Sequence, residues 1–198
     1  MAMSKASILV IARNHIPEQL LKHGFNPASE SMVKAMLENP QLFFMDRDLA
    51  ENDPNYKQLI PYVVFQSPKG FFNYQRGKAS SETRLRLLRS LGVGGHIEKE
   101  DGDIGQSSYL KGLWRELNEE VGVGPSNNIK LLGFINDDSN DVGKVHFGIV
   151  HLYQIETSDL ESKELNLTDC KFSSIQDIKT NEESFETWSR LMMPYLDQ

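Results

Sequence analysis

Three glutamates near the middle of the chain have the spacing to hold a metal ion. Glu116, Glu119 and Glu120 stand at i, i+3 and i+4, so a helix through them places three carboxylates on one face. Two unit charges about 4 Å apart repel by roughly 4 kcal/mol at an effective dielectric of about 20. Mg²⁺ or Mn²⁺ would relieve that repulsion, because both prefer carboxylate oxygens. The alternative is a solvated acidic face on which Arg115 pairs with Glu119.

The residues around the glutamates predict the helix that carries them. Gly122 follows the glutamates, at a position where many helices end in the left-handed conformation. Ser107 or Ser108 is the predicted N-cap. On another face, apolar side chains recur at helical spacing: Leu110, Leu113, Leu117 and Val121. These signals agree on a helix of about four turns.

The order of residues in this stretch matches a known motif. Residues 115–123 (RELNEEVGV) meet R-E-(apolar)-x-E-E-x-G-(apolar) at every position, and residues 94–98 (GGHIE) match a GG-x-(apolar)-E opening. The chain therefore resembles the Nudix hydrolase superfamily, the MutT-related pyrophosphohydrolases, with its box at 94–123. A match over so many specified positions is far more specific than a lone glycine pattern.

The resemblance implies an α/β fold, a Nudix-like α/β/α sandwich with a mixed β-sheet. The box would form a loop, a helix and a second loop on that sheet. We expect residues 1–198 to form a single Nudix-like domain. Residues 61–198 would be its core, and residues 1–60 would be an added N-terminal element packed on that core.

The resemblance also implies a reaction and the residues that perform it. The chain would be a divalent-metal-dependent hydrolase that cleaves a pyrophosphate bond in a nucleoside diphosphate linked to another moiety, with Mg²⁺ or Mn²⁺ as cofactor. Carried over by position, the catalytic residues are Glu116, Glu119, Glu120 and Arg115, where Arg115 orients the glutamates by charge-assisted hydrogen bonds. The metal ligands would be the same three glutamates and a carbonyl of the double glycine, either that of Gly94 or that of Gly95.

Three further residues are candidate substrate contacts. Glu98 matches a glutamate that the family carries in this loop. His96 could contact a phosphate or cap a loop. Four basic residues precede the box and could bind a phosphate: Arg76, Lys78, Arg84 and Arg86. Arg76 is the preferred candidate, although scattered basic side chains usually serve solubility. Tyr74 or Phe72 could stack on a base, but aromatic residues in strands are more often core.

The general base has several candidates. A predicted acidic loop at 136–141 carries Asp137, Asp138 and Asp141, although such a loop is often only a solvated turn. His146 and His151 lie on one predicted strand at odd spacing, so they point to opposite faces of the sheet. We interpret these two histidines as structural.

The box departs from the family pattern at Ser107, where a glutamate is usual, and its opening segment is longer than usual. The extra segment is acidic, and one of its carboxylates could take over the missing role; they belong to Glu100, Asp101 and Asp103. If the role is lost, the alternative function is a Nudix-fold ligand-binding or regulatory module with weak or no turnover.

Composition and charge make several function classes unfavourable. The chain has 198 residues, of which 39% are apolar and 25% charged, which suits one globular domain. A net charge of −7 argues against nucleic acid as the partner. No apolar run is long enough to span a membrane or to act as an export signal, and the single cysteine, Cys170, suits a reducing compartment, so we expect a cytoplasmic protein.

We expect the partner to be a small nucleoside diphosphate derivative, and the sequence leaves a homodimer open. Isoprenyl-diphosphate isomerisation, which uses a cysteine in this family, is disfavoured because Cys170 lies far from the box.

Hydrophobic periodicity and turn residues predict the other elements. Strands are predicted at 8–12, 62–66, 71–76, 129–135 and 144–156, with a short strand and turn at 171–178. Helices are predicted at 16–23, 29–38 and 182–193, and surface loops at 46–55 and 158–168.

Overall fold

The computed structural model describes residues 6–77, 87–158, 160–165 and 167–196. Its strands are β1 (Ser7–Ala12), β2 (Gly24–Pro27), β3 (Leu42–Asp46), β4 (Tyr56–Ser67), β5 (Gly70–Arg76), β6 (Arg89–Ser90), β7 (Gly92–Val93), β8 (Ile129–Asn136), β9 (His146–Gln154) and β10 (Leu167–Ser173). Its α-helices are α1 (Glu30–Leu37), α2 (Arg47–Ala50), α3 (Gln106–Val121), α4 (Asp141–Val145), α5 (Ile175–Thr180) and α6 (Thr187–Met192).

The strands form one mixed sheet whose main order is β10-β5-β4-β9-β8-β2. β4 and β9 run parallel, in a register from Gln58 opposite His146 to Gln66 opposite Gln154. The other pairings between the named strands are antiparallel, including β1 with both β3 and β4. Because β1 pairs with β4, the N-terminal segment shares this sheet with the predicted core. The division of the chain at residue 60 stays a prediction.

β4 is the strand on which two apolar cores meet. Leu59, Val63 and Phe65 belong to one core, whereas Tyr62 and Val64 belong to the other. This alternation follows from the two-residue period of a strand, and burial on both faces explains why the strand is almost continuously apolar.

Helices cover both faces of the sheet. α1 and α3 pack on the first core through Val33, Met36, Leu37, Tyr109, Leu113, Leu117 and Val121. α5 and α6 pack on the second core through Ile178 and Met192. The predicted α/β/α sandwich with a mixed sheet is confirmed.

α3 is the predicted helix of the acidic residues, and its end follows the prediction. Gly122 takes the left-handed conformation, with φ of +72°, and its amide donates to the carbonyl of Asn118. The prediction of the N-cap is wrong, because the residue before the helix is Gly105 and both serines lie inside the first turn. Ser108 instead donates its hydroxyl to the carbonyl of Gly105 at 2.9 Å.

The apolar stripe of α3 also differs by one residue from the prediction. Leu110 is exposed, while Tyr109 is buried. Tyr109, Leu113, Leu117 and Val121 follow one another at four-residue spacing, so they share one face of the helix.

Three predicted elements have different boundaries. Residues 16–23 do not form an α-helix. Two short 3-10 turns lie here instead, Arg13–His15 before Pro17 and Glu18–Leu20 after it. The loop predicted at 46–55 contains α2, which Asp46 caps by accepting the amides of Asp48 and Leu49. The helix predicted at 182–193 begins only at Thr187, after the 3-10 turn Glu182–Ser184.

The remaining predicted strands are observed with different bounds. The strand predicted at 144–156 is shorter, because residues 144 and 145 belong to α4, and the turn predicted before 178 is the start of α5. None of the helices in the described residues combines the length and the apolarity that spanning a bilayer requires. The basic segment at 78–86, with its candidate phosphate contacts, lies outside the described residues.

Candidate functional site

One cavity of about 280 Å³ brings together most of the predicted site residues. It is lined by the double glycine, by two of the three predicted glutamates and by all three predicted substrate contacts: Gly94, Gly95, Glu116, Glu120, Arg76, His96 and Glu98. These residues come from β5, from the loop after β7 and from α3. The cavity is therefore the candidate active site.

Both glycines are needed where the loop enters the cavity. Gly94 has φ of +153°, and a Cβ there would overlap the carbonyl oxygen of Pro61. A Cβ at Gly95 would overlap the carboxylate of Glu116. The double glycine thus lets a carboxylate of α3 lie directly against the loop backbone.

Glu120 carries the clearest sign of a missing ligand. Its Oε2 atom is buried and has no hydrogen-bond partner among the described residues. Burial, and then the charge of Glu116, raise the pKa of Glu120 to about 8, while Arg76 and the amide of Gly94 oppose the shift. A buried carboxylate with an unpartnered oxygen needs either a proton or a cation.

Glu116 stands beside Glu120 on the cavity wall. Its side chain is 15% exposed, and Oε1 accepts from Arg115 Nη1 at 2.9 Å. Burial raises the pKa of Glu116 even though Arg115 favours the charged form. Together the two carboxylates form a buried acidic pair to which one arginine donates, and a hard divalent cation fits that donor set.

Glu119, the third predicted ligand, is placed differently. Its side chain is 51% exposed and lies 3.3 Å from Arg115 Nη1. It does not line the cavity. The structure therefore brings two of the three predicted glutamates into the cavity and leaves the third at the solvent edge of α3.

Arg115 fixes the cavity wall rather than facing the cavity. Its Nε and Nη2 donate to the two oxygens of Asp101 at 2.9 and 3.0 Å. Nη2 also donates to the carbonyl of His96 at 2.9 Å. The hydrogen bonds to Asp101 raise the pKa of Arg115. Arg115 thus ties α3 to the double-glycine loop and orients Glu116.

Asp101 is the carboxylate of the acidic insertion that contacts the box. It is buried, whereas Glu100 and Asp103 are exposed. Its Oδ2 also accepts from the amide of Glu98 at 2.8 Å. Gly112 makes this approach possible, because a Cβ there would lie 2.6 Å from Asp101 Oδ2. Ser107 is exposed on the first turn of α3, whereas Asp101 is buried.

Arg76 lies in the cavity wall and is held by a residue that the sequence did not identify. Its Nε donates to Glu186 Oε2 at 2.7 Å, and Ser90 donates to the other oxygen of Glu186 at 2.6 Å. Burial opposes the charge of Arg76, but Glu186, together with Tyr74 and Glu120, raises the pKa of Arg76. Glu186 follows Arg76 by 110 positions, and no local pattern marks the pair.

His96 and Glu98 both face the cavity. The ring Nε2 of His96 lies 2.8 Å from Oε1 of Gln58. Burial, with the nearby charges of Arg47 and Arg115, holds the pKa of His96 well below its usual value, so the ring is neutral. A neutral ring at this position can donate to or accept from a ligand, but it adds no charge.

The other candidates of the sequence separate into cavity and core. Asp137 and His146 line the cavity, and the interpretation of His146 as structural stays a prediction. His151 lies in the core, 2.8 Å from the hydroxyl of Tyr109, and burial lowers its pKa to about 4. Tyr74 and Phe72 are fully buried, so neither can stack on a base.

Asp138 does not line the cavity, and its carboxylate pairs with two basic side chains. Arg13 donates to both of its oxygens, at 2.8 and 2.6 Å, and Lys57 Nζ donates to Oδ1 at 2.9 Å. Asp141 is 74% exposed and pairs with Lys144. Of the acidic loop, Asp137 remains the general-base candidate that lines the cavity.

The chain is similar in sequence and in fold to several known proteins. No family model matches the chain. Protein YmaB of Bacillus subtilis (strain 168) is 37% identical over 159 residues, which cover 77% of this chain and 77% of YmaB. Tm1382, whose crystal structure is described as that of a candidate Nudix hydrolase, is 31% identical, with a TM-score of 0.78 over 96% of this chain and 97% of Tm1382. The MutT protein of Methanosarcina mazei Go1 shares the fold, with a TM-score of 0.54 over 71% of this chain and 93% of its own at 18% identity.

Proposed function

The chain belongs to the Nudix hydrolase superfamily, and from that premise we propose that it is a divalent-metal-dependent hydrolase. Its substrate is a nucleoside diphosphate linked to another moiety, and the bond that it cleaves is the pyrophosphate bond. The observation that carries this proposal is the buried Oε2 of Glu120, which has no hydrogen-bond partner among the described residues and lies beside Glu116 in the cavity that the double glycine opens. Such a pair has the donor chemistry of a Mg²⁺ or Mn²⁺ site.

The chain's own residues divide the work as follows. Glu116 and Glu120 would hold the cation, with a carbonyl of the double glycine as a further oxygen ligand. When bound, the cation neutralises phosphate charge and lowers the pKa of a coordinated water. Arg115 holds Glu116 in place, and Arg76, fixed by Glu186, offers a charged donor to a phosphate in the same cavity.

Glu119 keeps its predicted role as a metal ligand in this proposal. Its contact with Arg115 is long, at 3.3 Å, and its side chain is exposed, so rotation about its side-chain bonds costs little. Asp137 is the proposed general base, because it is the acidic-loop carboxylate that lines the cavity. Its oxygens already accept from Ser139 and Asn140.

The alternative, a binding module without turnover, is less well supported. Its motivation was the absence of a carboxylate at Ser107. Asp101, a buried carboxylate of the insertion, accepts two hydrogen bonds from Arg115, and Arg115 in turn donates to Glu116. The orientation of Glu116 therefore does not depend on a carboxylate at position 107.

Replacing Asp101 by asparagine is expected to lower kcat by about tenfold to a hundredfold, the usual effect of losing a partner that orients a metal ligand. Arg115 would lose its bidentate acceptor and could reorient Glu116. The matched control is Asp103→Asn, an exposed carboxylate of the same insertion, which should leave kcat within about twofold. The measurement is steady-state hydrolysis, with the concentration of Mg²⁺ needed for half-maximal rate as a second readout. An unchanged rate and an unchanged Mg²⁺ requirement in Asp101→Asn would contradict the bracing role.

The proposed function is tested by incubating the protein with Mg²⁺ or Mn²⁺ and a panel of diphosphate compounds, with products identified by mass. The panel contains nucleotide sugars, dinucleoside polyphosphates, ADP-ribose, NADH, coenzyme A and nucleoside triphosphates. We expect cleavage between two phosphates of at least one compound, abolished by EDTA. Absence of cleavage with both ions across the panel would overturn the proposal.

A further inference from the structure

A second group of metal-ligand side chains lies beside the candidate active site. Glu51, His96 and His146 each offer one ligand atom, and the three atoms lie within 4.8 Å of one another. Among the described residues, no other group of three or more His, Cys, Asp and Glu side chains has ligand atoms this close together. The three glutamates of the box do not form such a group in the described residues.

Three separate elements bring this group together. Glu51 follows α2, His96 follows the double glycine, and His146 is the first residue of β9. The two imidazole rings have centroids 5.8 Å apart. His96 and His146 both line the cavity that holds Glu116 and Glu120.

The second nitrogen of each ring is already oriented by an oxygen acceptor. His146 Nδ1 lies 2.7 Å from the carbonyl oxygen of Val142, so this nitrogen carries the proton and donates. His96 Nε2 lies 2.8 Å from Oε1 of Gln58, a residue that is fully buried and pairs with His146 in the register of β4 and β9. In metal-binding histidines, one ring nitrogen usually donates to an oxygen in this way while the other binds the ion.

We propose that Glu51, His96 and His146 form a second divalent-cation site, one that prefers a borderline transition ion such as Zn²⁺, Co²⁺ or Mn²⁺ over Mg²⁺. Two imidazole nitrogens and one carboxylate suit such ions, whereas Mg²⁺ prefers oxygen ligands alone. Zn–N and Zn–O bonds of about 2.1 Å place tetrahedral ligands about 3.4 Å apart, so ligand atoms that lie within 4.8 Å of one another need to close by at most about 1.4 Å. Three protein ligands leave a coordination position for a water or a phosphate oxygen in the shared cavity.

Arg47 lies next to this site and competes with an ion for the carboxylate of Glu51. Its Nε is 3.4 Å from Glu51 Oε1, and it also lines the cavity. The ion would share the carboxylate of Glu51 with Arg47. This sharing predicts that the site binds an ion more weakly than a closed structural zinc site does.

The test uses Co²⁺ titration of the full-length protein, followed by its visible d–d absorption. The parent for the titration is the Glu116→Gln/Glu119→Gln/Glu120→Gln variant, so that none of the three box glutamates binds the ion. We expect one Co²⁺ per chain, with the absorption of a site that contains nitrogen ligands, and competition by Zn²⁺ but not by Mg²⁺.

Two variants and one control then locate the ion. Glu51→Gln, which is close to isosteric, should weaken Co²⁺ binding at least tenfold, and His146→Ala should abolish the absorption bands. His15→Ala removes an exposed histidine outside the group and should leave binding unchanged. Absence of stoichiometric Co²⁺ binding in the parent, or a change below twofold in Glu51→Gln, would overturn the proposal. Because the readout is ion binding, it can fail while hydrolysis is observed, and it can succeed while no substrate is cleaved.

Discussion

Replacing Glu120 by glutamine is expected to lower kcat by at least about a hundredfold, equivalent to about 2.7 kcal/mol of transition-state stabilisation. Glutamine has nearly the same shape, but it carries no negative charge to hold a cation. The loss should appear in kcat and in the Mg²⁺ requirement. The free energy of unfolding should not fall, because the native carboxylate is buried with an unpartnered oxygen and burial already disfavours its charged form.

The matched control for this change is Glu100→Gln, which alters an exposed carboxylate of the box insertion that does not line the cavity. It should change kcat by less than about twofold. Equal activity of Glu120→Gln and Glu100→Gln would remove Glu120 from the metal site. Glu119→Gln is the complementary variant, and a loss as large as that of Glu120→Gln would show that this exposed carboxylate turns to the ion during the reaction.

Replacing Asp138 by alanine is expected to lower the free energy of unfolding by about 3 kcal/mol, the low end of the range for a broken buried ion pair, because Asp138 is itself partly exposed. Lys57 is fully buried, and its Nζ donates to Asp138, to Gly143 O at 2.7 Å and to His146 O at 3.3 Å. Burial lowers the pKa of Lys57, while the hydrogen bond and charge of Asp138, and more weakly the charge of Asp137, favour the charged form. Without Asp138, the ammonium group keeps two carbonyl contacts but loses its counter-ion.

The pH dependence of this effect has a definite sign. Hydrogen bonds from Arg13, and then from Lys57, hold the pKa of Asp138 below its ordinary value. The unfolded chain therefore takes up the proton first as the pH falls, so the stabilisation is present above about pH 4 and is lost at lower pH. Urea denaturation at neutral pH and at about pH 3 measures both predictions. The control Asp141→Asn changes an exposed carboxylate of the same segment and should shift stability by less than about 0.5 kcal/mol. A loss in Asp138→Ala no larger than that of the control would contradict the role given to this network.

The sequence predicts the part of the site that is local in the chain. The helix α3 follows from four-residue apolar spacing and from Gly122, and the double glycine and glutamates follow from the order of the box. These features depend on residues within a few turns of one another, so periodicity and motif order are sufficient. The sequence also marks the acidic insertion, but it does not say which of its carboxylates contacts Arg115. That choice depends on Gly112, which leaves room for Asp101 against the helix.

The sequence does not predict the parts of the site that come from distant segments. Glu186 reaches Arg76, and Glu51 and His146 meet His96, only because the sheet and its helices bring these residues together. Each is a single polar residue with no spacing pattern to a partner. β3 was missed for a different reason, because its short apolar run precedes a charged segment and lacks the alternation that identifies a half-buried strand.

The central claim is that the buried carboxylates of Glu116 and Glu120 hold a divalent cation. The most direct measurement is the anomalous difference density of a crystal soaked in Mn²⁺. The claim predicts a Mn²⁺ peak within about 2.0–2.5 Å of an oxygen of each glutamate, next to the double glycine. Mn²⁺ density at Glu51, His96 and His146 with none between Glu116 and Glu120, at a Mn²⁺ concentration that saturates activity, would contradict it.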